Sequence, residues 1–122
     1  MPNIGSYEKS LPGFSWSIAE RELDYVPGNN INIGWYCSDR ICTLGHANKP
    51  ALIYEGLEGA ETRYSFNDLR LASNTIGLYL KNLGIKPEDR VCLFMDRIPE
   101  LYFSFVAVLK IGAVVQPLFS AF

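Results

Sequence analysis

Between Ser65 and Leu83 the apolar residues Leu69, Ala72, Ile76, Leu80 and Leu83 recur at steps of three and four, one stripe of a helix. Ser65 stands where an N-cap belongs, with Asp68 three residues on; Gly84 is placed for the left-handed residue past the C-terminus, and Pro87 prevents continuation. The same signature predicts a helix in "NIGWYCSDRICTLG", with Ile33, Cys37, Ile41 and Leu44 at helical intervals, an asparagine to cap it and Gly45 to end it. A third stretch, "WSIAERELDY", sets Trp16, Ala19 and Leu23 on one face behind Ser15 as cap.

The pattern elsewhere is that of strands. "PALIYEG" and "TRYSF" read as a hairpin joined by "LEGAE". "DRVCLFM" has no polar alternation after Arg90, which predicts a strand covered on both faces. Pro99 and Glu100 open "PELYFSFVAVLKI", a helix apolar on almost every side and closed by Gly112, with Asp96 as cap, Arg97 as its flank, and Tyr102, Phe103 and Phe105 in the core. "AVVQPLF" then completes a βαβ unit, whose parallel strands call for a right-handed crossover. The expected class is α/β: a short hairpin plus βαβ in an incomplete sheet. Residues 1–30, with Pro2, Pro12 and Pro27, read as an arm, and 31–122 as a partial α/β subdomain. The chain stops on "VVQPLFSAF", a run that reads as a buried strand where termini are usually polar, so more chain is expected to follow.

Composition narrows the functional classes. Eleven basic against 13 acidic residues, with no basic stripe, leave no electrostatic footprint for nucleic acid or an anionic membrane. The uncharged run "LYFSFVAVL" is half the ~18 residues of a membrane span. Three cysteines and an opening "MPNIGSYEKS" without an apolar signal core point to reduced thiols and a cytoplasmic location.

Most candidate chemistry fails on geometry. Cys37, Cys42 and His46 are ligand types, but residues five apart on a helix lie about 140° apart around its axis, so the two thiols do not converge and read as ordinary buried cysteines. No nucleophile elbow accompanies the single histidine, and neither "GLEGAETR" nor "GIKPED" fits a phosphate loop. The acidic pairs Glu20 and Glu22, Glu58 and Glu61, and Glu88 and Asp89 read as solvated charges. The catalytic and metal sets are therefore empty. One place has a positive case: ligands of open parallel sheets bind beyond the carboxyl ends of strands, where Phe119, Ser120, Ala121 and Phe122 fall. Ser120 and Ala121 allow close approach to the backbone and the phenylalanines offer stacking faces, against the plain alternative of a strand running into a buried loop.

Taken together, "NIGWYCSDR", "RYSFNDLRLASNTIGLYLKNLGIKPEDRV" and "DRIPELYFSFVAVLKIGAVVQPLFSAF" resemble the N-terminal part of the AMP-forming acyl-CoA synthetases, acyl-adenylate-forming enzymes, and most of all their acetyl-CoA synthetase branch. The resemblance implies a ligase that joins a carboxylate to the α-phosphate of Mg-ATP, releasing pyrophosphate, and then passes the acyl group to the thiol of CoA. The family's phosphate loop, ribose-binding acid and catalytic lysine lie downstream of the block that ends here. It thus implies a catalytically inert N-terminal piece of the large domain, needing no cofactor itself, whose partners are the rest of a longer chain that uses ATP, Mg2+, CoA and a small carboxylic acid. Acetyl-CoA synthetases often show Phe-Gly-Gly-Phe where this chain has Phe119, Ser120, Ala121 and Phe122, a turn bordering the CoA nucleotide; the loss of both glycines alters that contact. Propionate or a longer acid as substrate, and a non-catalytic interaction module, remain the alternatives. An open sheet also predicts self-association.

Overall fold

The helix that begins at Ser65 forms as its signals require. Ser65 Oγ accepts from Asp68 N–H (3.2 Å) and Asp68 Oδ2 accepts from Ser65 N–H (2.8 Å), a reciprocal cap. A computed structural model describes residues 6–118. Its chain divides into two compact units, Met1–Ile31 and Asn32–Phe122.

The first unit holds α1 (Tyr7–Ser10), a 3-10 turn (Leu11–Gly13) and α2 (Trp16–Glu22), none of which contains a buried residue. Ser15 occupies the N-cap position of α2 without capping it, because its hydroxyl meets that of Ser17 (2.9 Å) instead. Phe14 and Trp16 pack edge to face, 5.5 Å between centroids.

The second unit runs α3 (Ile33–Tyr36), α4 (Asp39–Ile41), a wide turn (Cys42–His46), β1 (Pro50–Glu55), β2 (Glu61–Ser65), α5 (Phe66–Asn82), β3 (Arg90–Leu93), α6 (Pro99–Lys110) and β4 (Val114–Pro117). Among the described residues β1 and β2 pair antiparallel and β3 and β4 pair parallel, in two separate two-stranded sheets. The class is α/β, a hairpin followed by βαβ. α6 lies at the centre, flanked by α5 and α3. Val108, Ile111 and Ala113 form its core with Leu80, Ile85, Val91 and Val115 packed around them, and Tyr64 from the hairpin meets Phe103 edge to face at 5.2 Å. Gly112 takes φ +77°, the left-handed turn that lets the chain leave α6 for β4.

Four expectations need correction. The helix expected over residues 32–45 is broken. Asn32 does cap its start, accepting from Trp35 N–H (2.9 Å), but Ser38 departs from helical geometry (φ −133°, ψ −74°). Its hydroxyl donates to the Gly34 carbonyl (2.6 Å), the group its own N–H would need to continue the helix. The packed side consequently carries Gly34 and Ser38, while Ile33 and Leu44 are exposed. The cysteines follow: Cys37 and Cys92 are exposed and Cys42 is half-buried, because Cys37 lies off the packed face and Cys92 points away from the core. β3 is covered on one face only, since Val91 and Leu93 turn toward α6 and Cys92 toward solvent. Finally, Tyr102 and Phe105 are exposed and only Phe103 of the three aromatics is core, because α6 buries the sides that meet α3, α5 and the strands.

Candidate functional site at the carboxyl edge of the parallel strands

β3 and β4 run in the same direction, so both carboxyl ends open on one edge. Leu118 N–H donates to the Leu93 carbonyl there (2.9 Å), which holds the exits of the two strands together. The segment from Phe94 to Ile98 leaves β3 at this edge and turns into α6, whose first residue Pro99 is buried. Asp96 does not cap that helix. Ile98 occupies the cap position without a side-chain bond to the first turn: its N–H donates back to the Asp96 carbonyl (2.8 Å), its own carbonyl accepts from Leu101 N–H (3.1 Å), and Pro99 at the first helical position has no N–H to satisfy. Where the Phe94–Ile98 segment approaches the end of the hairpin, Tyr54, Glu55, Leu57, Asp96, Arg97 and Ile98 line a cleft of ≈ 420 Å³. Arg97 is engaged within the structure, and Leu57 is fully exposed.

The expected site residues Phe119, Ser120, Ala121 and Phe122 lie outside the described residues, immediately after the edge that leads to them. Two carboxylates and one engaged guanidinium around an open cleft make neither a phosphate cradle nor a nucleophile with its base. Among the described residues no group of three His, Cys, Asp or Glu side chains converges as metal ligands would. Cys37, Cys42 and His46 are not brought together as ligands, and the expected acidic pairs are separate surface groups: Glu61 pairs with Arg63, and Asp89 accepts from Lys86 N–H (2.7 Å).

A second polar cluster, unforeseen in the sequence, sits at the other end of α6. Lys110 Nζ donates to Ser73 Oγ (2.9 Å) and Asn74 Oδ1 (2.8 Å) and pairs with Asp39, with only 10% of the Lys110 side chain exposed. Asn32 Nδ2 donates to the Lys110 carbonyl (2.9 Å). Burial works against ionisation of Asp39, but the bonds from Lys110 and Ser38, with the Lys110 charge, outweigh it and hold the carboxyl below its usual range. The ammonium is thus committed to α4 and α5, and the neighbouring concavity of ≈ 270 Å³, lined by Ser73, Asn74, Gly77 and Lys81 among others, has no free reactive group at Lys110. The sequence did carry a trace of this cluster: Lys110 is the one basic residue in a mostly apolar helix.

A parallel pair joined by a helical crossover, after an antiparallel hairpin, defines the α/β class of this chain, in which ligands bind beyond the carboxyl ends of the strands. Residues 42–122 match the AMP-binding enzyme family, and the chain belongs to that family. It is 36% identical over 121 residues to an acetyl-coenzyme A synthetase of Bacillus subtilis, 98% of this chain and 21% of that protein. A crotonobetaine/carnitine–CoA ligase of Salmonella paratyphi A is 33% identical over 96 residues, 79% of this chain and 18% of that one. Among solved structures, an acyl-CoA synthetase of Brucella canis superimposes with a TM-score of 0.84 at 32% identity, covering 98% of this chain and 21% of that chain. The chain therefore spans about a fifth of the length of these relatives. Among the described residues no helix is long and apolar enough to cross a membrane.

Proposed function

We propose that this chain is the opening part of the large domain of an acetyl-CoA synthetase-like ligase, which converts acetate, ATP and CoA to acetyl-CoA, AMP and pyrophosphate through acetyl-adenylate in the cytoplasm. The observation that carries this reading is the 36% identity to the Bacillus subtilis synthetase, sustained over 98% of the chain. In it, residues 32–118 act as scaffold: α6, clamped by α3 and α5, holds the carboxyl edge of β3 and β4, and Phe119, Ser120, Ala121 and Phe122 border the CoA nucleotide. ATP, Mg2+ and the acid are held by the remainder of a longer chain, as the match to only about a fifth of the relatives' length supports. By itself the chain is inert.

The test is a chimera. Replacing the matching fifth of the Bacillus subtilis synthetase with this chain is expected to preserve acetate-dependent ATP–pyrophosphate exchange, while the 122-residue chain alone shows none. A soluble, folded chimera devoid of adenylation would overturn the scaffold reading, and exchange by the short chain would overturn its inertness. The similarity to the crotonobetaine/carnitine–CoA ligase favours a second reading, a parent that activates a different acid. It predicts that the chimera retains acetate specificity, because the acid pocket would come from the other four fifths.

A further inference from the structure

We propose that Lys110 is a positioning residue: it pins the register of α6 against α3, α4 and α5, and through α6 it sets the carboxyl edge of β3 and β4 for the CoA nucleotide. The need for a pin follows from the faces that pack. The buried residues that α3 and α5 turn to α6 are Gly34, Ser73 and Gly77, and residues so small raise no ridge to lodge in a groove of the facing helix. Their contacts fix how close the axes come, since a Cβ on Gly34 would already meet the Lys110 backbone nitrogen at 2.7 Å. They leave displacement along the axes weakly resisted.

Directional bonds at Lys110 supply the missing constraint. The three N–H donors of its ammonium meet Ser73 Oγ (2.9 Å), Asn74 Oδ1 (2.8 Å) and the Asp39 carboxylate. Its carbonyl accepts from Asn32 Nδ2 (2.9 Å), the residue that also caps α3. These partners come from α4, α5 and the start of α3, so a slide of about 1 Å against any of them carries a bond past the ~3.2 Å at which such bonds fade. A polar group nearly out of water is then left unpaired, at the full cost of its desolvation. A buried ion pair of this kind adds little net stability but can select one packing among several.

The pin reaches the edge from both directions. α6 is 12 residues long, about 16 Å from Lys110 back to Pro99 at 1.5 Å per residue. A continuous helix moves as one body, so a shift at Lys110 arrives at Pro99 and at the Phe94–Ile98 segment that ends there. Onward, Lys110 leads through the left-handed Gly112 (φ +77°) into β4 at Val114. Leu101 N–H donates to the Ile98 carbonyl (3.1 Å) and Leu118 N–H to the Leu93 carbonyl (2.9 Å), so these two amides report where α6 and β4 meet the edge. The role toward CoA rests on the ligase reading; the pin itself rests on the bonds at Lys110.

The experiment pairs Lys110→Met with Asp39→Asn, which removes the pin together with the charge it would strand, and so separates register from most of the stability loss. In the 122-residue chain, hydrogen exchange by NMR is expected to show the Leu101 and Leu118 amides accelerated about tenfold or more beyond those of the β1–β2 ladder. Acceleration that is uniform over the chain is a loss of stability alone and overturns the pin. In the chimera with the Bacillus subtilis synthetase, the same double variant is expected to raise KM for CoA about tenfold while acetate-dependent ATP–pyrophosphate exchange is retained. A KM for CoA that stays put, or a loss of both half-reactions in proportion, overturns the positioning role. An unmutated chimera without adenylation strikes the ligase reading instead, and hydrogen exchange at Leu101 and Leu118 still decides the pin.

Discussion

Residues 32–46 and 65–84 carry the same local instructions, a capping side chain, an apolar stripe and a closing glycine, yet they fold differently. In the second, the stripe from Leu69 to Leu80 is half-buried on one continuous helix, next to Ser73 and Gly77, which face α6. In the first, the helix breaks at Ser38 and much of its stripe stays in solvent. The difference lies in how closely each must approach α6. A Cβ on Gly34 would come within 2.7 Å of the Lys110 backbone nitrogen and 2.8 Å of the Val106 carbonyl oxygen, whereas one on Gly77 would crowd the Ile111 Cγ2 methyl at 3.2 Å and meet the Ala107 carbonyl oxygen at an ordinary 3.7 Å. Backbone against backbone leaves no flexible atom to yield, so the small face of α3 is the side that packs, whatever its apolar stripe prefers.

The comparison is broken most directly at Gly34. Gly34→Ala is expected to cost about 3 kcal/mol, read as a lowered urea midpoint at unchanged m and fixed protein concentration. Lys110→Met comes next. It leaves Asp39 without its cation in a partly buried site, and removing one partner of a fully buried pair costs 3–5 kcal/mol, so about 2 kcal/mol is expected where the carboxyl keeps some solvent. Adding Asp39→Asn to that variant restores part of the loss, as a double-mutant cycle by urea unfolding will show.

The same pair gives a pH signature. Asp39 has a lowered folded-state pKa, so its contribution is present above the unfolded value near ~3.9 and disappears as pH falls through the lower folded value. Wild type and Asp39→Asn should therefore differ in stability at neutral pH and converge in strong acid, measured by thermal unfolding across that range. Smaller effects test the well-formed helix. Ser65→Ala removes the cap and is expected to cost about 1 kcal/mol in the same urea assay. Gly77→Ala is expected to change stability by less than about 1 kcal/mol, because a helix prefers alanine by nearly that amount and the methyl it crowds can shift. A Gly77→Ala loss as large as that of Gly34→Ala would refute the account of the two faces.

Local order was legible where the needed signals lay within a few residues. The capping box of Ser65 and Asp68, the hairpin from Pro50 to Ser65, and the βαβ order around α6 all follow from short-range periodicity and turn chemistry. So did the direction of the search for a site, since parallel strands make their carboxyl ends the place to look. The cleft there depends on the end of the hairpin meeting a loop some 40 residues further along the chain, a pairing no local pattern encodes. Lys110 shows the same limit: as a sequence letter it interrupts an apolar run, and only the approach of Asp39, Ser73 and Asn74 from two other elements makes it the tie between them.

By itself, then, the sequence determined the kinds of element, their order, the α/β class and the family resemblance, because helix and strand periods and their caps are written residue by residue. Tertiary structure decided which face of each element is inside. That choice turns on how near two backbones must come, which is why Gly34 and Ser38 outranked Ile33 and Leu44 against α6. It also decided that β3 buries Val91 and Leu93 and leaves Arg90 and Cys92 exposed, since which face of a strand is covered depends on the elements packed against it and not on its own residues.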